Sequence, residues 1–306
     1  MKENTKNKNL KGTWPVMITP FDDDLKIDMN GYRSLLDWYL QLDVGGLYAN
    51  CLSSEMYHLE PDERLLLISE AVKAANGQRP VAATGNLGGD ITEHINFCRQ
   101  VADTGVDVVM LVVPTFCEND SELEDYYLTI AEKVDAPLGL YECPVPRSYH
   151  LGVDLVEKLA ETGRFVAYKE TQCELPRMKE LLNVIQSTPL ALLQANIPYL
   201  LESVKAGAPG SMNVASIWMP DLVAKVIELG HAGDPAAERL QNILCAMEMA
   251  QRTVQLRGIK YLLSKRGFPI KMHVRKEQPP LSAEEIYGLD CAAEGWFRED
   301  GSLAIL

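Results

Sequence analysis

Residues 165–171 read Phe165-Val166-Ala167-Tyr168-Lys169-Glu170-Thr171. Four non-alternating residues stand in a row, and a lysine closes them. A strand with one wet face alternates apolar and polar residues. An unbroken apolar run of this length reads instead as a strand covered on both faces, as in a parallel sheet. Working outward from Val166–Lys169, the same character recurs at Trp14–Thr19, Gly46–Ala49, Val81–Thr84, Val108–Val112, Leu138–Tyr141, Leu190–Gln194 and Ser211–Val214.

Helical patterns fill the intervals. Tyr32, Leu35, Leu36, Tyr39 and Leu40 share one helical face. Asp90 and Glu93 predict a capping box for a helix that Gly105 stops. Ser121 and Glu124 predict a second box ahead of Leu123, Tyr127, Ile130 and Val134. Asn196 is the expected cap of a helix with an early Pro198, ended by Gly207. Val223, Val226 and Ile227 carry a further helix toward Gly230. Strand starts recur every 20 to 35 residues or so, near the ~30 of a βαβ unit. Eight such units predict a (β/α)8 TIM barrel over residues 12–232. No GxGxxG follows the first run, which argues against an open dinucleotide-binding sheet. After Asp234-Pro235 only helical patterning remains, with Leu240, Ile243, Leu244 and Met247 on one face. Residues 233–306 are too long for a frayed end and predict a C-terminal helical extension of about three helices. The polar start MKENTKNKNLKG lacks the apolar core of a secretory signal, and residues 1–11 are expected to be disordered.

The 306 residues carry 29 Lys and Arg against 43 Asp and Glu, a net charge of −14. No basic stripe of the kind that nucleic-acid binding needs is present. No apolar run reaches the ~20 residues of a membrane span. Seven cysteines, an odd number with no CxxC pair, predict reduced thiols and a cytoplasmic protein. The five histidines are scattered, so neither a metal nor another cofactor is expected. A small-molecule enzyme or binding barrel remains.

In a (β/α)8 barrel, chemistry belongs at the C-terminal ends of the strands. Lys169 emerges there from an apolar strand. Desolvation would lower its pKa and free a neutral amine for attack on a ketone; the alternative is a solvated lysine closing a strand. Tyr141 ends the preceding strand, where a phenol can shuttle protons or simply pack half-buried. Ser53 and Ser54, in Cys51-Leu52-Ser53-Ser54-Glu55, can cradle a carboxylate with their hydroxyls and backbone N–H groups, or form a turn or cap. Glu55 is read as bonding loop backbone, and Glu142 and Glu170 as solvated loop charges. Gly210-Ser211 suits either a phosphate or tight helix–strand packing.

The motifs CLSSE (51–55), YECPVP (141–146), AYKET (167–171) and GSMNVASIWMP (210–220), with GTWPVMITPF at 12–21, resemble in order the dihydrodipicolinate synthase/N-acetylneuraminate lyase family. The resemblance runs from about Gly12 to Gln278. It implies a barrel that joins a 2-oxo acid, typically pyruvate, to a lysine as an imine, usually in a homotetramer. On this match Lys169 is the Schiff-base lysine, Tyr141 the catalytic tyrosine, and Ser53, Ser54 and Met212 substrate-binding residues. There are departures. Leu52 stands at the family's first loop hydroxyl and Ser54 at a glycine. Phe116, in Pro114-Thr115-Phe116, replaces a tyrosine that enters from a neighbouring subunit. Pro146 stands at the arginine that receives the second substrate's carboxylate, with Arg147 one residue later, and Gln194 stands where glycine is common. The combination predicts a Schiff-base lyase or aldolase that acts on a pyruvate-type or sugar-acid-derived 2-oxo acid and does not make dihydrodipicolinate. Dehydration of a deoxy sugar acid through the same imine, or mere binding of a 2-oxo acid, is the alternative.

Overall fold

The computed structural model describes residues 10–306. Eight parallel strands form one curled sheet: β1 (Gly12–Thr13), β2 (Leu47–Asn50), β3 (Val81–Thr84), β4 (Val108–Val112), β5 (Leu138–Tyr141), β6 (Phe165–Glu170), β7 (Ala191–Gln194) and β8 (Gly210–Ser211). Each strand pairs with the next from β2 to β8, and β8 returns to β1. The seam between β1 and β2 closes through single bonds. The Tyr48 N–H donates to the Pro15 carbonyl and the Met17 N–H to the Tyr48 carbonyl, each at 3.0 Å. Helices α1 (Met29–Gln41), α2 (Pro61–Ala75), α3 (Ile91–Asp103), α4 (Asp120–Lys133), α5 (Val153–Glu161), α6 (Leu175–Ile185), α7 (Leu200–Lys205) and α8 (Pro220–Ala232) alternate with the strands. This is the expected (β/α)8 barrel.

The two ends of the sheet differ from the sequence reading. The run 14–19 was expected to be the first strand, but regular pairing stops at Thr13, because Pro15 has no N–H to give to a ladder. The last strand stops at Ser211, not Val214. Asn213 accepts from the Ser216 N–H at 2.9 Å and turns the chain into a 3-10 helix over Val214–Ile217. Gly210 is needed at this seam, since a Cβ would lie 2.0 Å from the Gly12 carbonyl oxygen.

Capping follows the same chemistry, partly with other residues. Asp90 accepts from the N–H groups of Thr92 and Glu93, while the Glu93 carboxylate reaches Gly89 and not Asp90. Ser121 lies inside α4, which Asn119 caps by accepting from Glu122, and Glu122 reaches back to the Glu118 N–H. Asn196 caps nothing, because α7 begins only at Leu200; its side-chain oxygen accepts from Arg252. Helix α8 passes through the buried Gly230 and ends at Gly233, in the left-handed region at φ 67°.

The extension consists of α9 (Ala236–Arg252), α10 (Gln255–Lys265) and α11 (Ala283–Trp296). Leu240, Leu244 and Met247 of α9, with Ile259, Leu262 and Leu263 of α10, bury into the same apolar core as the barrel. Arg266 fastens α10 to the barrel. It donates to the carbonyls of Trp218 (2.6 Å) and Gly301 (2.9 Å) and to the Asp221 carboxylate (2.8 Å). Of the start expected to be disordered, residues 1–9 lie outside the described residues, and Leu10 is buried.

Candidate active site

Strand pairing puts Tyr141 directly opposite Lys169, both at the C-terminal ends of their strands. The Lys169 ammonium nitrogen lies 4.4 Å from the centroid of the Tyr141 ring and 5.2 Å from that of Tyr48. Lys169 is only 6% exposed. Among the described residues no carboxylate comes within ion-pair distance of it. Burial pulls its pKa below the usual lysine value, the nearby Cys51, Cys143 and Cys173 thiols opposing that pull. The aromatic faces favour the ammonium form, but at ~0.5–2 kcal/mol they are the weaker influence on a fully desolvated amine. Burial likewise drives the Tyr141 phenol well above its ordinary value, with the Cys143 thiol as the next cause. Burial thus makes this amine easier to deprotonate than an ordinary lysine, and the phenol harder to deprotonate than an ordinary tyrosine.

Both groups line a cavity of about 520 Å³ that also takes in Leu52, Ser53 and Met212. Leu52–Ser54 form a single 3-10 turn after β2. The first N–H groups of such a turn have no carbonyl within it to bond. Ser53 faces the cavity, its hydroxyl donating to the Val16 carbonyl at 2.8 Å. Ser54 does not line the cavity. Its hydroxyl donates to the Met17 carbonyl at 2.7 Å and accepts from the Cys51 N–H at 3.1 Å, so it holds the turn in shape. Met212 is a buried part of the cavity wall and donates its N–H to the Gln194 carbonyl at 2.9 Å. A larger hollow of about 1230 Å³ opens at the opposite end of the barrel, beside the start of β7, and among the described residues Lys179 is the only ionisable one that lines it.

The departures from the family pattern lie outside this cavity, apart from Leu52. Phe116 is 44% exposed on the loop after β4, against the rings of His94 (5.5 Å) and Tyr126 (5.6 Å). Arg147 does not compensate for Pro146. Its guanidinium donates to the carbonyls of Pro114 (3.2 Å) and Cys117 (2.5 Å) and stacks on Tyr149. Gln194 accepts from the Asn196 N–H at 2.9 Å and so shapes the loop after β7.

Two carboxylates, Glu142 and Glu170, are buried and not the solvated loop charges that the sequence suggests. Glu142 is buried and accepts from the Tyr168 hydroxyl (2.5 Å), Arg177 (2.7 Å), and the N–H groups of Leu151 (2.9 Å) and Thr171 (3.1 Å), with His150 Nδ1 at 3.4 Å. Glu170, also buried, receives the other arm of Arg177 at 2.6 Å and the Cys173 N–H. Burial, then the neighbouring Glu142 charge, raises the Glu170 pKa. This network clamps the end of β5 to β6 and so sets the spacing of Tyr141 and Lys169. Glu55 bonds backbone, as expected, but that of the extension. Held at φ 60°, it accepts from the N–H groups of Arg275 (2.6 Å) and Lys276 (2.7 Å) and pairs with Lys260 at 3.0 Å, both partners fully buried. Arg177 and Lys260 gave no signal in the sequence beyond being charges on amphipathic helices. Glu248, Gln251 and Arg252 of α9 also line the cavity and were missed; the i,i+4 spacing of Glu248 and Arg252 beside the apolar Leu244 and Met247 was the available clue.

A desolvated amine facing a phenol at the strand ends of a (β/α)8 barrel is an arrangement that can form a Schiff base with a ketone. The chain belongs to the dihydrodipicolinate synthetase family, whose sequence model matches residues 9–292. It is 27% identical over 286 residues to 4-hydroxy-tetrahydrodipicolinate synthase 1 of Halalkalibacterium halodurans, covering 92% of this chain and 95% of that one. It is 28% identical over 225 residues to the synthase of Methanosarcina acetivorans, covering 73% and 76%. Among solved structures, dihydrodipicolinate synthase from Bacteroides thetaiotaomicron superimposes with a TM-score of 0.87 at 22% identity, covering 94% of this chain and 99% of that one. YagE, a prophage protein of the same family from E. coli K12 solved with pyruvate, gives 0.86 at 20% identity, covering 94% and 98%.

Proposed function

We propose that this chain forms an imine between Lys169 and a 2-oxo acid and uses it to break or make a carbon–carbon bond. The neutral amine attacks the ketone, and loss of water leaves the imine. Tyr141 delivers and collects the protons of those steps. Ser53, whose hydroxyl proton turns from the Val16 carbonyl to the substrate, and the N–H groups at the start of its turn hold the substrate carboxylate, and Leu52 and Met212 close the cavity with apolar surface. The imine accepts the electron pair of the breaking bond and returns it when the resulting enamine is protonated at carbon. The observation that carries this reading is Lys169: a buried amine with no carboxylate beside it, facing Tyr141. Incubation with pyruvate and borohydride should add a reduced adduct to the peptide containing Lys169. An unlabelled peptide across several 2-oxo acids, or equal labelling of Lys169→Ala protein, would sink the reading.

The same proposal excludes aspartate semialdehyde as the partner. Leu52 removes a relay hydroxyl, Phe116 brings none, and Arg147 is held by the Pro114 and Cys117 carbonyls, away from the cavity. The expected result is negligible condensation of pyruvate with aspartate semialdehyde in an assay coupled to dihydrodipicolinate reductase. A kcat/KM of ~10⁴ M⁻¹s⁻¹ or more would instead give this chain the reaction its relatives are named for. The proposal extends to a cytoplasmic homotetramer, on the cysteine pattern and the family resemblance, with sedimentation velocity as the check.

A further inference from the structure

Tyr141 lines the lysine cavity, and behind it stand Cys143 and Tyr57, which do not. The chain doubles back after β5, the Cys143 N–H donating to the Tyr141 carbonyl at 2.8 Å. The Cys143 thiol is hydrogen-bonded to the Tyr141 hydroxyl on one side and to the Tyr57 hydroxyl on the other. Tyr57 belongs to the 3-10 turn Met56–His58, and its hydroxyl donates to the Val145 carbonyl at 2.9 Å. The Val145 N–H in turn donates to the thiol. Cys143 is 2% exposed and Tyr57 36%. The three groups therefore run from the cavity, through the interior, to the surface.

Their hydrogen bonds all point one way. A phenol and a thiol each carry one proton and can also accept one. Tyr57 gives its proton to the Val145 carbonyl, so toward Cys143 it accepts and the thiol donates. The thiol, with its own proton so engaged, accepts from Tyr141. Burial raises the Cys143 pKa above that of an ordinary thiol and the Tyr57 pKa above that of an ordinary phenol, so both hold the proton that a relay hands on.

We infer that Cys143 and Tyr57 form a proton relay between Tyr141 and solvent. This inference rests on the imine reading above and adds the path by which Tyr141 is emptied and refilled. The relay acts where the imine becomes an enamine. The C3 proton of the bound 2-oxo acid passes to the Tyr141 oxygen. The electron pair left behind becomes the C2–C3 double bond, and the C=N pair returns to nitrogen. In the same movement the Tyr141 hydroxyl proton passes to the Cys143 sulfur, the thiol proton to the Tyr57 oxygen, and the Tyr57 proton to water. One proton enters, one leaves, and nothing is oxidised or reduced. The hydrogens of the relay then point inward, ready to return a solvent proton to carbon. No member has to ionise, which suits groups whose burial opposes charge. Cys143 and Tyr57 touch no substrate and act through Tyr141.

Pyruvate is the probe, its methyl protons followed by proton NMR in heavy water. The natural protein should exchange them for deuterium. Cys143→Ala and Tyr57→Phe should each slow that exchange ~10-fold or more, the lower end of what a positioned proton carrier supplies, with cavity water left as a slower route. The extent of borohydride trapping of pyruvate on Lys169 at equilibrium should stay unchanged in both, since it reports the imine and not the rate of proton movement. Cys143→Ser restores a group that donates and accepts, and should exchange faster than Cys143→Ala. Exchange slowed less than ~10-fold in either variant, trapping that falls in step with exchange, or a Cys143→Ser protein no faster than Cys143→Ala overturns the relay and leaves the imine reading standing. A natural protein that traps pyruvate without exchanging its methyl protons does the same. Failure of pyruvate to trap on Lys169 in the natural protein overturns both.

Discussion

Lys169→Met is expected to make the protein more stable while abolishing its chemistry. Methionine matches the length of the lysine stem and brings no charge. The native lysine sits 6% exposed at the strand end with two aromatic rings as neighbours and no carboxylate. Burial lowers its pKa in the fold, so the unfolded chain binds its proton more tightly. Each unit of that difference costs the native state about 1.4 kcal/mol. The sign follows. The penalty is full below the folded pKa, fades as pH rises through the window between the folded value and the ordinary lysine value near ~10.4, and vanishes above it. The variant should therefore exceed the parent by ~1 kcal/mol or more at pH 7, a rise of roughly 2–4 °C in Tm. The gap should close as the pH is raised toward ~10. Urea titrations of both proteins at several pH values between 6 and 10 give the measurement. A variant less stable than the parent at pH 7, or a gap that stays constant across the series, would refute a desolvated, unpaired lysine.

Tyr141→Phe keeps the buried ring and deletes the proton carrier. Stability should change little, turnover of the cognate 2-oxo acid should fall ~100-fold or more, and near-normal turnover would remove the phenol from the mechanism. Lys260→Met strips the partner from a fully buried Glu55. Breaking such a pair costs ~3–5 kcal/mol, so a loss under ~1 kcal/mol in urea unfolding would show that the pair does not hold the extension to the barrel. Glu142→Gln places an NH₂ where the carboxylate accepts from Tyr168, Arg177 and the N–H groups of Leu151 and Thr171. A loss of ~2 kcal/mol or more is expected, one buried donor being left unmet, together with a drop in kcat as Tyr141 and Lys169 lose their spacing.

The barrel was legible because its signal is collective. Runs such as Val108–Val112 and Leu138–Tyr141 are buried on both faces, and their sequence shows it without reference to anything distant. Lys169 and Tyr141 were legible for a related reason, since a strand end is a local feature and adjacent strands bring their ends together. What escaped was anything decided by a distant partner. Glu142 looked like a loop charge because its donors come from residues 151, 168, 171 and 177. Ser54 looked as good a ligand as Ser53, because only the fold shows that Ser53 lines the cavity while the Ser54 hydroxyl turns away to the Met17 carbonyl. The α9 residues escaped because helical periodicity assigns a face to a helix but not what that face meets.

The carboxylate of Glu55 joins a turn near the start of the chain to backbone and an amine that follow it by 205 to 221 residues. A growing chain emerges N-terminus first. The strands, the lysine and the tyrosine are all translated while Glu55 still lacks its partners, and the turn that carries Ser53 settles only when Lys276 has been delivered. Loop closure over such a distance is slow compared with local pairing. The turn that carries Ser53 is thus completed late during synthesis, and a product cut short before residue 260 would contain Lys169, Tyr141 and Ser53 and still lack the partners that hold that turn in shape.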